Sequence, residues 1–308
     1  MDETRRIQIT GSNTYIVSLP QEWVKQSNLE KGDQVYLTTN ADGTITLSQK
    51  QMKRVPKDYI IEADGDRANA MRNVVSAYIS GAGKITIRGK EISSIAEHAR
   101  QLLSGVEIVD ETENEISLKV LAFDELEVNT VIKRAFGVTK SMFTFASEIC
   151  RNGKGNMLEI SKKEEEVDRL YILLLRELVA GKTSPKKAVF KAVLAKSIEK
   201  IGDHVLDLCD NAKDAGKNEW LADLVDCAGE VYFNAVECWM KKEITNAKYK
   251  AAKVKYIEAY EKMDGEIGNT KDLAKRLILL ILLEKCNKIV RYSDDIMECN
   301  TDMAFISS

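Results

Sequence analysis

KSIEKIGDHVLDLCDN, residues Lys196 to Asn211, sets Glu199, Asp203 and Asp207 at intervals of four, with Asp210 three further on. On a helix those spacings stack the side chains along one face, one turn above the next. Nothing in isolated-helix energetics favours such a row, because like charges at that spacing repel. Ile198, Ile201, Val205, Leu206 and Leu208 supply a second, apolar face that would bury against neighbouring helices. Gly202 lies beside the acidic row and leaves room for a close approach, at about 1 kcal/mol against Ala. His204 offers a nitrogen at the edge of the row. Spacing alone leaves two readings open. One is a solvated acidic face on an ordinary bundle helix. The other is a hard-ligand metal site, or an acidic face set against a basic partner.

The residues themselves carry a resemblance. IEKIGDHVLDLCD is similar to the signature helix of the PhoU-type phosphate-uptake regulators, whose pattern runs roughly L-E-R-I-G-D-H-A-x-N-I-A-E. Ile198 stands at its opening Leu, Lys200 at its Arg, Asp207 at its Asn and Asp210 at its final Glu. The central I-G-D-H is intact.

The chain has 308 residues, enough for two or three domains each with its own core. A net charge of -3 argues against coating nucleic acid or membrane through bulk charge, although a local basic surface is compatible with it. Few aromatics, three prolines and much Ala, Leu, Glu and Lys favour helix. Cys150, Cys209, Cys227, Cys238, Cys286 and Cys299 form no CxxC pair and read as buried thiols of a reducing compartment. MDETRRIQIT lacks an apolar signal core, and the longest apolar run, Leu277 to Leu283, falls far below the roughly 20 residues of a span. A cytoplasmic protein without membrane insertion is expected.

Residues 1–52 read as a small β module. Arg6 to Thr10 alternates, Gly11-Ser12-Asn13 turns, and Thr14 to Leu19 is a second strand closed by Pro20. Gln21 to Ser27 fits a short helix with Trp23 and Val24 inward. Gln34 to Thr38 and Thr44 to Leu47 are strands joined by a turn at Asn40-Ala41-Asp42-Gly43. So few residues bury little apolar surface alone, so a partner is expected, an interlocked dimer being one solution. The element order and the phrase SLPQEW…LEKGDQVYL resemble the AbrB/SpoVT swapped-hairpin DNA-binding domains. The resemblance implies DNA contact through Arg5, Arg6 and Lys25. It also shows a departure, because Tyr15 and Ile16 stand where an arginine is expected.

After a basic linker, Met52 to Lys57, residues 57–122 read as an α+β connector. Strands are expected at Asp58 to Ala63, Lys84 to Arg88, Val106 to Val109 and Glu115 to Val120, with helices over Asp66 to Ser80 and Ile92 to Leu103. His98 reads as a surface or packing residue. Gly81-Ala82-Gly83 lacks what a phosphate loop needs.

Residues 124–304 read as six helices in two repeats, 124–213 and 219–304. The helices are expected at Leu126 to Cys150, Leu158 to Val179, Pro185 to Ala212, Glu219 to Thr245, Ala247 to Ile267 and Lys271 to Asn300. KIGDHVLDLCDN aligns with KIVRYSDDIMEC, and KEEEVD with AYEKMD. The resemblance implies a PhoU-like bundle whose middle-helix motif, here Glu164 and Asp168, faces the signature acids. It implies Glu164, Asp168, Glu199 and Asp203, with Asp207 as a further candidate, as ligands of a divalent or trivalent transition metal (iron, zinc, manganese or nickel). In the second repeat Tyr260, Asp264, Asn287 and Arg291 stand at the positions of Glu164, Asp168, Glu199 and Asp203, so no metal is expected there.

A di-iron carboxylate enzyme would need Glu-x-x-His on two helices. Ile95 precedes His98 and Ile201 precedes His204, so neither histidine fits. No nucleophile elbow or Walker-type loop is present, and a non-enzyme is expected. The expectation is a mainly α protein with a small β head, acting as a dimeric transcriptional regulator of phosphate uptake. Its partners would be DNA and a phosphate ABC transporter component. The alternative is an adaptor that regulates the transporter by protein contact and does not bind DNA.

Overall fold

The computed structural model describes residues 3–11, 13–39, 43–49, 57–63, 65–121, 127–181, 183–244 and 246–307. Ser12, the turn at Asn40 to Asp42, the linker Met52 to Pro56, and the helix ends read at Leu126 and Thr245 lie outside the described residues. Two compact units emerge, Met1–Val55 and Pro56–Ser308.

In the first unit, strands β1 (Gln8–Thr10) and β2 (Thr14–Ile16) form one antiparallel hairpin, with Gln8 opposite Ile16. Helix α1 (Gln21–Gln26) follows Pro20, and β3 (Tyr36–Thr39) pairs antiparallel with β4 (Ile45–Ser48). Strands β1, β2 and β3 come out shorter than the expected runs, and β4 keeps its expected length shifted by one residue. Ile7, Ile9, Tyr15, Leu37 and Ile45 are largely exposed, and α1 contains no fully buried residue.

The second unit opens with a mixed sheet in the order β5-β6-β8-β7. Strand β5 (Lys57–Ala63) runs parallel to β6 (Ala82–Gly89), while β8 (Glu115–Val120) is antiparallel to both β6 and β7 (Val106–Glu111). Helix α2 (Arg67–Ile79) is the crossover between the parallel pair, capped by Asp66, whose Oδ1 accepts the Asn69 N–H at 3.0 Å. Helices α2 and α3 (Ile92–Leu102) cover the face presenting Ile85, Ile87, Ile116 and Leu118, all fully buried. On the alternate face Lys84, Arg88 and Lys119 are exposed, while Thr86 and Ser117 between them are buried. His98 is exposed, as expected.

Among the described residues six helices build the remainder: α4 (Val128–Asn152), α5 (Met157–Val179), α6 (Pro185–Ala215), α7 (Glu219–Lys241), α8 (Ala247–Asn269) and α9 (Leu273–Ser307). Helices α4 to α6 pack on one another, α7 to α9 do the same, and the third helices α6 and α9 join the two sets. This is the bundle of two three-helix repeats that the sequence predicts. Asn156, Asn218 and Asn246 cap α5, α7 and α8 with their side-chain oxygens, Pro185 opens α6, and Gly153 closes α4 with a left-handed φ of 70°. Five of the six cysteines are buried, Cys227 is half-buried, and all are free thiols. Among the described residues no helix is long and apolar enough to cross a membrane.

Two helix ends differ from expectation for a tertiary reason. Helix α7 stops at Lys241, where Lys242 turns left-handed and the Glu243 N–H returns to the Cys238 carbonyl at 2.9 Å. The buried Asn300 side chain donates to the Glu243 carbonyl at 2.6 Å and holds that turn. Helix α9 runs seven residues past Asn300, because Met303 packs on the bundle core and accepts the Trp239 indole N–H at 3.4 Å.

The sheet and the bundle share α5. Ile172 is buried in the sheet core, and Tyr171 packs against both cores. Arg176 donates to the carbonyls of Tyr78 and Ala82, the latter at 3.0 Å, and lies 4.6 Å from the Tyr78 ring. Such a planar, fixed guanidinium pins two backbone segments at once.

Candidate metal centre

Helix α5 carries Glu164 and Asp168 one turn apart, and α6 carries Glu199 and Asp203 in the same way. The two helices pack along Val167 and Gly202, where a Cβ added to the glycine would sit 3.5 Å from Val167 Cγ1. Gly202 therefore faces the neighbouring helix, at a distance that an alanine would also allow. It brings the acids of α5 and α6 to one locus: one oxygen each of Glu164, Asp168 and Asp203 lies within 4.8 Å of the others. Among the described residues no other group of histidine, cysteine or acid meets that measure.

Glu199 borders the cluster and is 8% exposed. Its Oε1 accepts from Lys196 at 2.8 Å, while Oε2 is sealed from solvent and has no hydrogen-bond partner. A buried carboxylate oxygen without a donor is rare and asks for one. Lys200 supplies part of the compensation, 2.6 Å from Asp203 and 3.5 Å from Glu199. Lys196 also lies 4.7 Å from the centre of the Tyr171 ring.

The charge balance is felt on α5. Burial pushes the Glu164 carboxyl up to about 7, aided by the negative charges of Asp168 and Asp203. Burial likewise raises Asp168 to about 6, with Glu199 and Asp203 adding to it and Lys196 and Lys200 opposing it. Two acids titrating that high behave as a site short of positive charge. The donors are all hard oxygens, the set that suits a hard or borderline cation.

Asp207 lies apart from this cluster: its carboxylate pairs with Lys285 of α9. His204 also turns to α9, its ring 5.7 Å from that of Tyr292, and burial with nearby Lys285 and Lys288 holds it below the usual histidine range. Sequence reasoning overlooked Lys196 and Lys200 as counter-charges, although each stands three residues before an acid of the row. In the second repeat, Asp264 and Arg291 are exposed, and Asn287, at the position of Glu199, accepts a neutral hydrogen bond at 2.6 Å from Tyr256, one turn before Tyr260.

On the head, Arg5, Arg6 and Lys25 are exposed, with Arg5 paired to Glu3. Tyr15 is exposed on β2.

Comparison with protein families agrees with this two-module order. Residues 8–58 match the family described as antidote-toxin recognition MazE, bacterial antitoxin, and residues 132–212 match the PhoU domain. The PhoU match runs through α4, α5 and most of α6 and holds the whole acidic cluster. Both families are regulatory and non-catalytic. No curated protein and no solved structure matches the chain.

Proposed function

We propose that the protein is a transcriptional regulator of phosphate uptake that binds DNA as a dimer through residues 1–52 and senses through a metal held by Glu164, Asp168, Glu199 and Asp203. The observation that carries the regulatory part is the joining of a MazE-type head to a PhoU domain in one chain. The sensing part rests on the unpartnered Glu199 Oε2 beside the Glu164/Asp168/Asp203 cluster. A bound cation would supply the missing positive charge and fix α5 against α6. Asp207 contributes at most from outside, since Lys285 already neutralises it. A second reading, an adaptor that acts on a phosphate transporter component by protein contact, is favoured by Tyr15 and Ile16 at the position where an arginine is expected.

DNA binding separates the two. With about four to six phosphate contacts per dimer, log K should fall against log salt with a slope of roughly -4 to -5. A gel shift on the upstream region of phosphate-transport genes should show binding. Arg5→Ala combined with Arg6→Ala should weaken it on every sequence and flatten the slope. A double variant that binds as tightly as the parent hands the function to the adaptor reading.

A further inference from the structure

Beside the acidic cluster, a different stripe of α5 lines a cleft of about 520 Å³ between the sheet and the bundle. Lys162, Glu166 and Arg169 recur at helical spacing along one wall. Thr130 and Arg134 of α4 face them, and Ser104, in the turn after α3, closes the third side. That turn is tied down by the Tyr78 hydroxyl, which donates to the Ser104 carbonyl at 2.9 Å.

Arg169 is the odd group of this cleft. It is half-buried, and its Nε is sealed from solvent without an acceptor. Among the described residues nothing forms a hydrogen bond or ion pair with its guanidinium. Lys162, exposed on the same wall, forms no hydrogen bond or ion pair among the described residues either. Arg134, by contrast, is already engaged, its Nε and Nη2 bonding Glu166 at 2.9 and 2.7 Å. Three cations therefore face two carboxylates, and once Arg134 and Glu166 cancel, Arg169 and Lys162 confront Glu165 alone. A guanidinium donor shut away from water without an acceptor is a substantial penalty unless a ligand accepts from it. Ser104 and Thr130, each carrying an uncharged hydroxyl, line the other sides.

We propose that this cleft binds a phosphoryl oxyanion, received by Arg169 and Lys162 and oriented by Ser104 and Thr130. A tetrahedral dianion offers acceptors in several directions, and a planar fork, an ammonium and two hydroxyl-bearing residues line the walls of this cleft. An occupant would bridge the sheet and the bundle at the very helix that carries Glu164 and Asp168. The inference stands on its own residues and does not require metal in the acidic cluster.

Titration calorimetry on the full chain tests it, with chelator present throughout so that a metal-bound phosphate cannot contribute. Inorganic phosphate and glucose 6-phosphate are the probes, and acetate is the control. Binding of inorganic phosphate alone identifies free phosphate as the occupant, and binding of both identifies a phosphoryl group in general. Arg169→Gln should weaken the bound probe by roughly 10- to 100-fold. Lys162→Gln, on the exposed part of the same wall and without structural partners, should weaken it by up to about fivefold. Glu165→Gln should strengthen it, a sign that a loss of folding cannot imitate. The proposal is overturned if neither phosphate probe binds, if acetate binds as well as they do, or if Lys162→Gln and Glu165→Gln both leave the affinity unchanged.

Discussion

Glu199 differs from the other acids of its row in where its charge can go. Asp207 has Lys285 across the helix interface, Asp210 has Lys213 at the surface, and Asp203 has Lys200. Glu199 shares Lys196 and Lys200 through one oxygen and leaves the other buried and bare. A cation between α5 and α6 would resolve that imbalance, whereas the exposed Asp264 of the second repeat would gain nothing from one. Glu199→Gln with Asp203→Asn should therefore abolish tightly held metal, read by elemental analysis after dialysis, while Asp264→Asn should keep it. Metal that survives the double change but leaves with Asp264→Asn would reverse the assignment, and a metal-free parent would leave the row to Lys196 and Lys200. The acids were legible in the sequence because their spacing of four is a property of one helix. The capture of Asp207 was not, since Lys285 lies 78 residues away and nothing in either segment names the other.

Helix α6 shows how an element's length and packing answer to different parts of the sequence. Its start is local: Ser184-Pro185 fixes the first turn. At its contact with α5 lies Gly202, which is buried and meets Val167. A methyl there would make an ordinary van der Waals contact at 3.5 Å, with no positive φ to strain it. Gly202→Ala should then raise unfolding stability by about 0.5–1 kcal/mol through the helix backbone alone, seen as a higher denaturant midpoint with unchanged slope. A fall in the midpoint instead would mean that α5 and α6 sit closer than the Val167 contact implies. Helix existence throughout the bundle was legible from apolar periodicity and capping residues. The ends of α7 and α9 were not, because the turn at Lys242 is held by Asn300 and the last turns of α9 by Trp239. Those are contacts between segments about 60 residues apart, invisible to a reading that moves along the chain.

At the scale of the molecule, the two units are stabilised in unlike ways. Pro56–Ser308 has two cores of fully buried side chains, whereas Met1–Val55 presents Ile7, Tyr15 and Leu37 at about 70% exposure and has no fully buried residue in its helix. Two separate two-stranded hairpins of three and four residues are marginal in water by themselves. Apolar exposure on that scale, in so short a stretch, is what a second copy would cover, at about 25 cal/mol for each Å² removed from water. The sequence made the same case from size alone; the structure adds which side chains are left uncovered. If the head folds only by pairing, residues 1 to about 55 expressed alone should melt at a temperature that rises with protein concentration. Ile9→Asp, which places a charge on an exposed apolar strand position, should break the dimer and lower that temperature, with little effect expected from Glu22→Gln on α1. Sedimentation at the monomer mass, together with a melt independent of concentration, would mean that the exposed strands are covered by something other than a second head, and the dimeric route to DNA would fall with it.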